Sequence, residues 1–398
     1  MKKNLLFLTI TILLCLLLIE LILQYISPPI LVGVGTFRGS KSNILGWAPF
    51  PNKQYTFVNP DTSKVSYFTT NSQGWKDVEH HFDKPDDVVR ILFIGDSVTW
   101  GYVYPSDLYT RQVERLLTKR LSSKVEVISI GVYAWGTDQA LEVLQVEGLK
   151  YHPDIVVYQF TLNDVIDNTL PNETTKPGDA YLSKTFRYEI VNGVLEKRKL
   201  EPTPNRKIKN FLLRSAIAYN LNIVRYKIIY HFRKINDRKK VRDRWREIAY
   251  NPESPHFLFS RDKEPERVKN AWKLLEALIA KMKLVSEKNN SRLIIFAVFG
   301  DNAKRARDIK RKRFHTDGSS DYVMKEGQRY LIDYKRPLKN LSKICERNDI
   351  LIIKPVRQYD RYDNDGHPNA IGNKRMAQDV VEFFLAQEMF QRITEENR

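Results

Sequence analysis

Short apolar runs alternate with amphipathic stretches along the central and C-terminal parts of this chain. The runs Arg90–Ile94, Val125–Ile130, Asp154–Phe160, Arg292–Phe299 and Ile350–Ile353 are rich in apolar residues. Strands that are covered on both faces of a parallel sheet have this composition. Helical periodicity separates or follows the runs at Leu108–Leu121, Asp138–Leu149, Glu266–Glu287, Tyr330–Glu346 and Ala370–Met389. The pattern predicts an α/β fold: a three-layer α/β/α sandwich with about five parallel strands, flavodoxin-like in general form.

The first 28 residues have a different pattern. An apolar run from Leu5 to Ile26, interrupted by Glu20 and Gln24, follows two lysines. As a helix it would measure about 33 Å, close to the ~30 Å hydrocarbon core of a bilayer. No small-x-small cleavage site follows, which favours an uncleaved membrane anchor over a cleaved signal peptide. The leading lysines predict a cytoplasmic N-terminus, with the chain after Pro28 on the extracytoplasmic side and with Glu20 near the interface or paired with another helix.

Three further regions follow from the pattern. Residues 29–87 are polar and turn-rich, with alternating runs in 55–75 that predict a small β segment containing a hairpin. Residues 88–398 form the α/β domain, with an insertion at about 168–264. Within the insertion, Asn192-Gly193 between alternating residues predicts a second hairpin, and 208–232 predict a helix.

Composition narrows the classes of partner. The net charge is +18, and two basic clusters, 225–246 and 304–313, hold ten and seven lysines and arginines. These clusters are either solvated surfaces or contacts for an anionic polymer or lipid headgroups. We find no nucleic-acid-binding motif and predict no nucleic-acid partner. The only cysteines are Cys15 in the apolar run and Cys345, which excludes a disulfide framework.

Four short stretches hold candidate site residues. Three of them follow predicted strands, and the fourth precedes the last predicted helix. Ser97 follows Gly95-Asp96 on a strand-to-helix turn, where a hydroxyl is exposed and a backbone N–H can hold an oxyanion. The loop 131–139 holds Gly131, Ala134 and Gly136. Small residues there let a ligand approach the backbone closely. Ligands of open α/β sheets bind at the carboxyl ends of strands, so these positions point to one site.

The third and fourth stretches supply further candidates. Asn163, after the third strand, is a neutral amide donor suited to an oxyanion hole, or a turn residue. His367 lies near Asp363 and Asp365, before Pro368-Asn369, which marks a helix start. A histidine beside a carboxylate is what a serine nucleophile requires, although a polar turn before a helix has the same composition.

These four stretches, in this order, resemble the signature blocks of the SGNH hydrolases, also called the GDSL lipase/esterase superfamily. The resemblance covers about 90–389. It implies that Ser97 is the nucleophile, His367 the general base and acid, and that Asn163 is an oxyanion donor with the backbone N–H groups of Ser97 and Ala134. It implies neither a metal nor an organic cofactor. The stretch 71–77, NSQGWKD, resembles a segment that precedes the serine block in membrane-anchored bacterial members.

Two blocks depart from the family pattern. The position three residues after Gly131, where the family usually has glycine, is Ala134, and Gly136 is the alternative donor. The spacing Asp-x-x-His would place Asn364 as the triad acid, whereas Asp-x-His places Asp365 there, with Asp363 as the alternative. Asp96, beside the nucleophile, is expected to support the site without serving as the triad acid.

The sequence therefore predicts a serine esterase that acts on O-acyl esters through an acyl-enzyme. Its substrate would be an acylated small molecule or polysaccharide, with O-acetyl groups on a cell-surface polysaccharide favoured by the charge and the predicted topology. One alternative is an O-acyltransferase that uses the same acyl-enzyme. Another, motivated by the two departures, is a non-catalytic envelope protein that binds polysaccharide on the hydrolase fold.

Overall fold

Five parallel strands form the central sheet of the computed structural model. They are β3 (Val88–Gly95), β4 (Lys124–Gly131), β5 (Ile155–Phe160), β8 (Arg292–Ala297) and β12 (Leu351–Ile353), in the order β12-β8-β5-β3-β4. All four pairings are parallel. The chain passes from β3 to β4 on one side and then to β5 on the other. The carboxyl end of β3 is therefore the switch point at which ligands bind in such sheets.

The structure describes residues 2–26, 42–62, 64–121, 124–169, 184–200, 215–218, 220–221, 224, 264, 266–298, 315–316, 321–325, 328–331, 333, 335–363 and 366–389. The principal helices in these ranges are α1 (Lys2–Ile26), α2 (Ser42–Leu45), α3 (Ser97–Trp100), α4 (Tyr109–Arg120), α5 (Thr137–Val146), α6 (Asp164–Asp167), α7 (Glu266–Glu287), α8 (Arg336–Arg347) and α9 (Ala370–Ala386). Strands outside the central sheet are β1 (Gln54–Val58), β2 (Val65–Thr69), β6 (Phe186–Val191), β7 (Val194–Lys199), β9 (His315–Thr316), β10 (Asp321–Lys325) and β11 (Gln328–Leu331).

Side chains of β3 alternate between two apolar cores, one on each face of the sheet. Ile91 and Phe93 pack in the core that includes residues of α4 and α9. Leu92 and Ile94 pack in the core that includes residues of α5, α7 and α8. All four side chains are fully buried. This alternation, which follows from the two-residue period of a strand, explains the continuous apolar run and confirms the three-layer fold.

The segment 42–87 packs along one side of the domain. Its antiparallel hairpin β1–β2 was expected from the alternation in 55–75. Asp77 accepts a hydrogen bond from the backbone N–H of Ser129 at 2.7 Å, on the edge strand β4. Trp47 donates to the carbonyl of Tyr133 at 2.8 Å. The segment therefore covers a sheet edge and contacts the loop after β4.

Several elements match the sequence-based boundaries and others differ. The turn of the β6–β7 hairpin has positive φ at Asn192 and Gly193, as a two-residue hairpin requires. The helix expected from Tyr330 begins at Arg336, because 328–331 instead pair with β10 as a strand. The strands β9–β11 were not predicted. Both basic clusters, and most of the helix predicted at 208–232, lie outside the described residues.

The amino-terminal helix is long and apolar enough to cross a membrane over Lys3–Ile26, and an 18-residue window within it has a mean hydropathy of 2.9. A signal sequence would have the same properties. Glu20 on this helix accepts hydrogen bonds from the backbone N–H of Ala216 at 2.6 Å and that of Ile217 at 3.0 Å. The Ser215 hydroxyl donates to the same carboxylate at 2.8 Å. Glu20 is thus paired with the first residues of a helical stretch in the insertion.

Candidate active site

Ser97 lies at the carboxyl end of the central strand β3, as the first residue of α3. The Asp96 carboxylate caps this helix by accepting a hydrogen bond from the Val98 backbone N–H at 2.9 Å. An added Cβ at Gly131, on the neighbouring strand, would lie 2.4 Å from the Trp100 nitrogen, so only glycine permits this close approach. The Ser97 side chain is thereby held at the switch point of the sheet.

His367 contacts Ser97 directly. Its Nε2 lies 2.8 Å from the Ser97 Oγ, within the range for proton transfer between a base and a nucleophile. The loop that carries it is fixed by pairing between Arg361 and Pro368, and by the Tyr362 backbone N–H, which donates to the His367 carbonyl at 3.2 Å. Asn369 then caps α9 through its side chain. The structure therefore brings together two residues that lie 270 positions apart in the sequence.

Of the candidate triad acids, the structure describes Asp363 but not Asp365. Asp365 and Asn364 lie outside the described residues. Asp363 is exposed, and its backbone N–H donates to the Asp61 carboxylate at 3.1 Å. Asp96 is buried and its second oxygen accepts from the Thr161 hydroxyl at 2.7 Å. Asp96 thus joins the serine turn to the loop after β5, a supporting position.

Two backbone N–H groups are available as oxyanion donors. Those of Ser97 and Ala134 have no hydrogen-bond partner in the part of the chain that the structure describes. Ala134 has φ +59°, the left-handed conformation that favours glycine. It thus has the backbone conformation that a glycine at this position of the family pattern would adopt readily. The Gly136 N–H instead faces the Gln139 side chain at 3.4 Å.

The Asn163 amide is held by two carboxylates. Its nitrogen donates to Asp167 at 2.9 Å and, at 3.3 Å, to Asp96. Asn163 is half-buried and immediately precedes α6, whose first residue, Asp164, is fully buried. Burial, together with the nearby charge of Asp96, raises the pKa of Asp164 well above its ordinary value. The longer hydrogen bond, to Asp96, is the weaker of the two. The Asn163 N–H that makes it is therefore the one that could donate to a substrate oxygen instead.

Three residues near the site were missed by the sequence analysis. The Tyr102 ring packs against the His367 ring with centroids 4.3 Å apart. Lys76 donates to the backbone carbonyls on either side of Tyr102. Asp167 lies four positions after Asn163, and this helical spacing was the available signal for their contact. Among the described residues, no group of three or more histidines, cysteines and carboxylates could hold a metal ion.

A parallel sheet with polar residues gathered at its carboxyl edge is typical of α/β enzymes. The chain belongs to the GDSL-like lipase/acylhydrolase family, whose model matches residues 93–375. This region begins in β3 and ends in α9, so it includes Ser97, Asn163 and His367. Among curated proteins, none matches the chain in sequence.

Three solved structures that are similar to this chain are distant from it in sequence. A structure of TesA is 8% identical and has a TM-score of 0.37, covering 74% of this chain and 97% of its own. The acetylxylan esterase Axe2 of Geobacillus stearothermophilus, as a catalytic mutant, is 12% identical with a TM-score of 0.35, covering 74% and 93%. A family 3 carbohydrate esterase of Clostridium thermocellum is 12% identical with a TM-score of 0.36, covering 75% and 96%.

Proposed function

We propose that this protein is a serine esterase that removes O-acyl groups, with acetyl as the favoured group, through a Ser-His-Asp acyl-enzyme. The observation that carries the proposal is the 2.8 Å separation of Ser97 Oγ and His367 Nε2 at the switch point of the sheet. An imidazole at this distance can accept the hydroxyl proton while the oxygen attacks a carbonyl carbon. Membership of the GDSL-like lipase/acylhydrolase family, whose model matches residues 93–375, is consistent with this chemistry.

Each site residue has one role in the proposed reaction. Ser97 Oγ forms a bond to the acyl carbon, and His367 accepts its proton and returns it to the leaving alcohol. Water, deprotonated by His367, then attacks the acyl carbon. The bond from this carbon to Ser97 Oγ breaks, His367 returns the proton to Oγ, and the acid leaves. Asp365, or alternatively Asp363, orients the imidazole and stabilises its protonated form. No metal or organic cofactor is needed for these steps.

The oxyanion formed in each step would be held by the backbone N–H groups of Ser97 and Ala134 and by the Asn163 amide. The two backbone groups have no other partner among the described residues, so they lose no hydrogen bond when they bind substrate. Asn163 would exchange its long bond to Asp96 for one to the oxyanion. This availability argues against a binding protein in which the hydrolase site has decayed.

For location, we propose that α1 remains as a single-pass anchor in the cytoplasmic membrane, with the catalytic domain outside. The length and apolar composition of Lys3–Ile26 support a membrane span, and Lys2 and Lys3 at its amino end support this orientation. The contact between Glu20 and 215–217 supports retention of the helix, because cleavage would remove the partner of these donors. The substrate would then be an acylated small molecule or a cell-surface polysaccharide.

The test uses the full chain in detergent micelles with p-nitrophenyl acetate and acetylated polysaccharides. Ser97→Ala should lower kcat by roughly 10⁴-fold or more, because the residual rate comes only from binding and the oxyanion hole. Ser106→Ala, at an exposed serine of the same region, serves as the matched control. Equal activity of wild type and Ser97→Ala would contradict the proposal. Adding a sugar acceptor and analysing the products separates hydrolysis from transfer.

A further inference from the structure

Lys76 is a buried lysine whose ammonium has no carboxylate partner in the described part of the chain. Only 4% of the residue is exposed. Its Nζ donates to the carbonyls of Gly101 at 2.8 Å and Val103 at 2.9 Å, and lies 4.4 Å from the centre of the Phe68 ring. Burial lowers the pKa of this amine to about 7. Burial opposes the charged form of this amine, whereas the two carbonyls and the face of the Phe68 ring favour it.

The two carbonyls that Lys76 binds flank a single residue, Tyr102. The carbonyl of Tyr102 itself accepts a hydrogen bond from the Tyr362 hydroxyl at 2.6 Å. Three successive carbonyls are therefore fixed by side chains from outside their loop. The loop begins at Gly101, whose φ of +66° few other residues adopt without strain. The position of Tyr102 is thus set by the amino-terminal segment on one side and by the histidine loop on the other.

The Tyr102 ring contacts the residue proposed as the catalytic base. Its centroid lies 4.3 Å from that of the His367 ring, with an angle of 38° between the planes. Phe57, on strand β1, packs edge-on against Tyr102 at 6.1 Å. An aromatic ring held at this distance restricts rotation of the imidazole. It therefore maintains the direction in which Nε2 faces Ser97 Oγ.

A second contact links the amino-terminal segment to the same loop. The Asp61 carboxylate, in the connection between β1 and β2, accepts the Asp363 backbone N–H at 3.1 Å. Asp363 lies four residues before His367. The segment 42–87 therefore reaches the histidine loop directly through Asp61 and indirectly through Lys76 and Tyr102.

We propose that Lys76 and Tyr102 are positioning residues for His367, so that the segment 42–87 forms part of the active site. The inference rests on the proposed role of His367 as general base. Lys76 holds the loop 101–103, this loop holds the Tyr102 ring, and the ring holds the imidazole toward Ser97. Neither residue touches the reacting acyl group in this account. Their loss should therefore lower kcat and leave KM nearly unchanged.

The first experiment measures kcat and KM of the full chain in micelles with p-nitrophenyl acetate. Lys76→Met and Tyr102→Leu should each lower kcat by up to about 100-fold, since a small misplacement of a catalytic group has an effect of this size. Lys84→Met is the matched control, because Lys84 lies in the same segment but pairs with Asp154 at the opposite end of the sheet. Val113→Ala, at a fully buried residue of α4, controls for a general loss of melting temperature.

The second experiment does not depend on activity. The ring-proton signal of His367, assigned by its loss in His367→Gln, should be displaced by the ring current of Tyr102. Lys76→Met and Tyr102→Leu should both reduce this displacement, and Lys84→Met and Val113→Ala should leave it in place. An unchanged signal in Lys76→Met, or a kcat equal to that of Val113→Ala at equal melting temperature, would overturn the inference. Full activity of Ser97→Ala would instead overturn the proposed function, and the signal would still decide the positioning role.

Discussion

The two ends of the central sheet differ in how their polar groups are used. At the amino end, Arg90 is 1% exposed, and its guanidinium donates to Glu126 and to four backbone carbonyls. At the carboxyl end, the N–H groups of Ser97 and Ala134 have no partner within the described ranges. Both ends are rich in polar atoms, and in the described ranges the carboxyl end retains two backbone donors beside the contacting pair Ser97 and His367. Unused donors beside the contacting pair Ser97 and His367 distinguish this end of the sheet from a structural network.

The amino end also shows what a structural ion network looks like in this protein. His80 lies between Asp77, at 3.1 Å, and Glu126, at 2.6 Å. Arg90 forms an ion pair with the same Glu126 carboxylate. Each charged group there faces one of opposite sign, so the network stabilises the fold and leaves little capacity for chemistry. Mutations at this end should therefore change stability, and mutations at the other end should change kcat.

Arg90→Met gives the largest expected effect on stability. It removes donors from four buried carbonyls and from Glu126, so the free energy of unfolding should fall by about 3–5 kcal/mol. Urea unfolding of the full chain in micelles measures this change. The kcat of the folded fraction should equal that of wild type. A lower kcat with unchanged stability would break the comparison between the two ends.

Asn163→Ala tests the carboxyl end. If the amide holds the oxyanion, kcat should fall by about 10²–10³-fold, which corresponds to about 2.7–4 kcal/mol of barrier. The measurement is steady-state hydrolysis of p-nitrophenyl acetate, with the melting temperature recorded in parallel. A loss of stability with unchanged kcat would mean that Asn163 serves only its contacts with Asp96 and Asp167.

His80 predicts a pH dependence of stability. Burial opposes its charge, but hydrogen bonds to Asp77 and Glu126 prevail and raise its pKa to about 9. The folded state therefore holds a proton that the unfolded chain releases near pH 6.5. This contribution, about 3 kcal/mol from the size of the shift, is complete below pH 6.5 and is lost as the pH rises through 9.

The variant His80→Gln isolates this contribution from those of other groups. The difference in unfolding free energy between wild type and variant should shrink from pH 6.5 to pH 9. Urea unfolding across this range measures the difference. A constant difference would show that His80 is not charged between its two carboxylates, and the amino end would then lack the balanced charges described above.

Ala134→Gly gives the smallest expected effect. Glycine relieves the left-handed strain at φ +59°, so stability should rise by about 1 kcal/mol. The backbone N–H remains, and hydrolysis of acetyl esters should continue at a similar rate. If the Ala134 methyl group narrows the acyl pocket, its removal should increase activity on esters with longer acyl chains. A large loss of acetyl esterase activity would contradict the assignment of this N–H as a donor.

The sequence predicted the sheet well because its strands are buried on both faces. The apolar runs at β3, β4 and β5 are long enough to be distinguished from helices, and their order follows from the alternation with α4 and α5. Strands β9–β11 were missed since they are short and carry no clear alternation. The predicted start of helix α8, at Tyr330, was too early, because 328–331 form a strand of that small sheet.

The sequence identified two residues that lie in contact at the candidate site, but it did not identify the residues that pack around them. Ser97 and His367 belong to recognisable short motifs, and the structure places them in contact. Lys76 and Tyr102 act through backbone carbonyls and ring packing, which depend on tertiary contacts between distant segments. No local pattern encodes such contacts. The same reasoning explains why the supporting position of Asp96 was anticipated but its partner Thr161 was not.

The most direct test of the account is to locate the acyl group on the enzyme. The full chain, mixed with p-nitrophenyl acetate and quenched in acid within milliseconds, is digested and its peptides are analysed by mass spectrometry. We expect one acetyl group on Ser97, absent in Ser97→Ala and formed far more slowly in His367→Gln. Continued ester hydrolysis by the wild type with no acetyl on Ser97, or equally fast acetylation in His367→Gln, would contradict it.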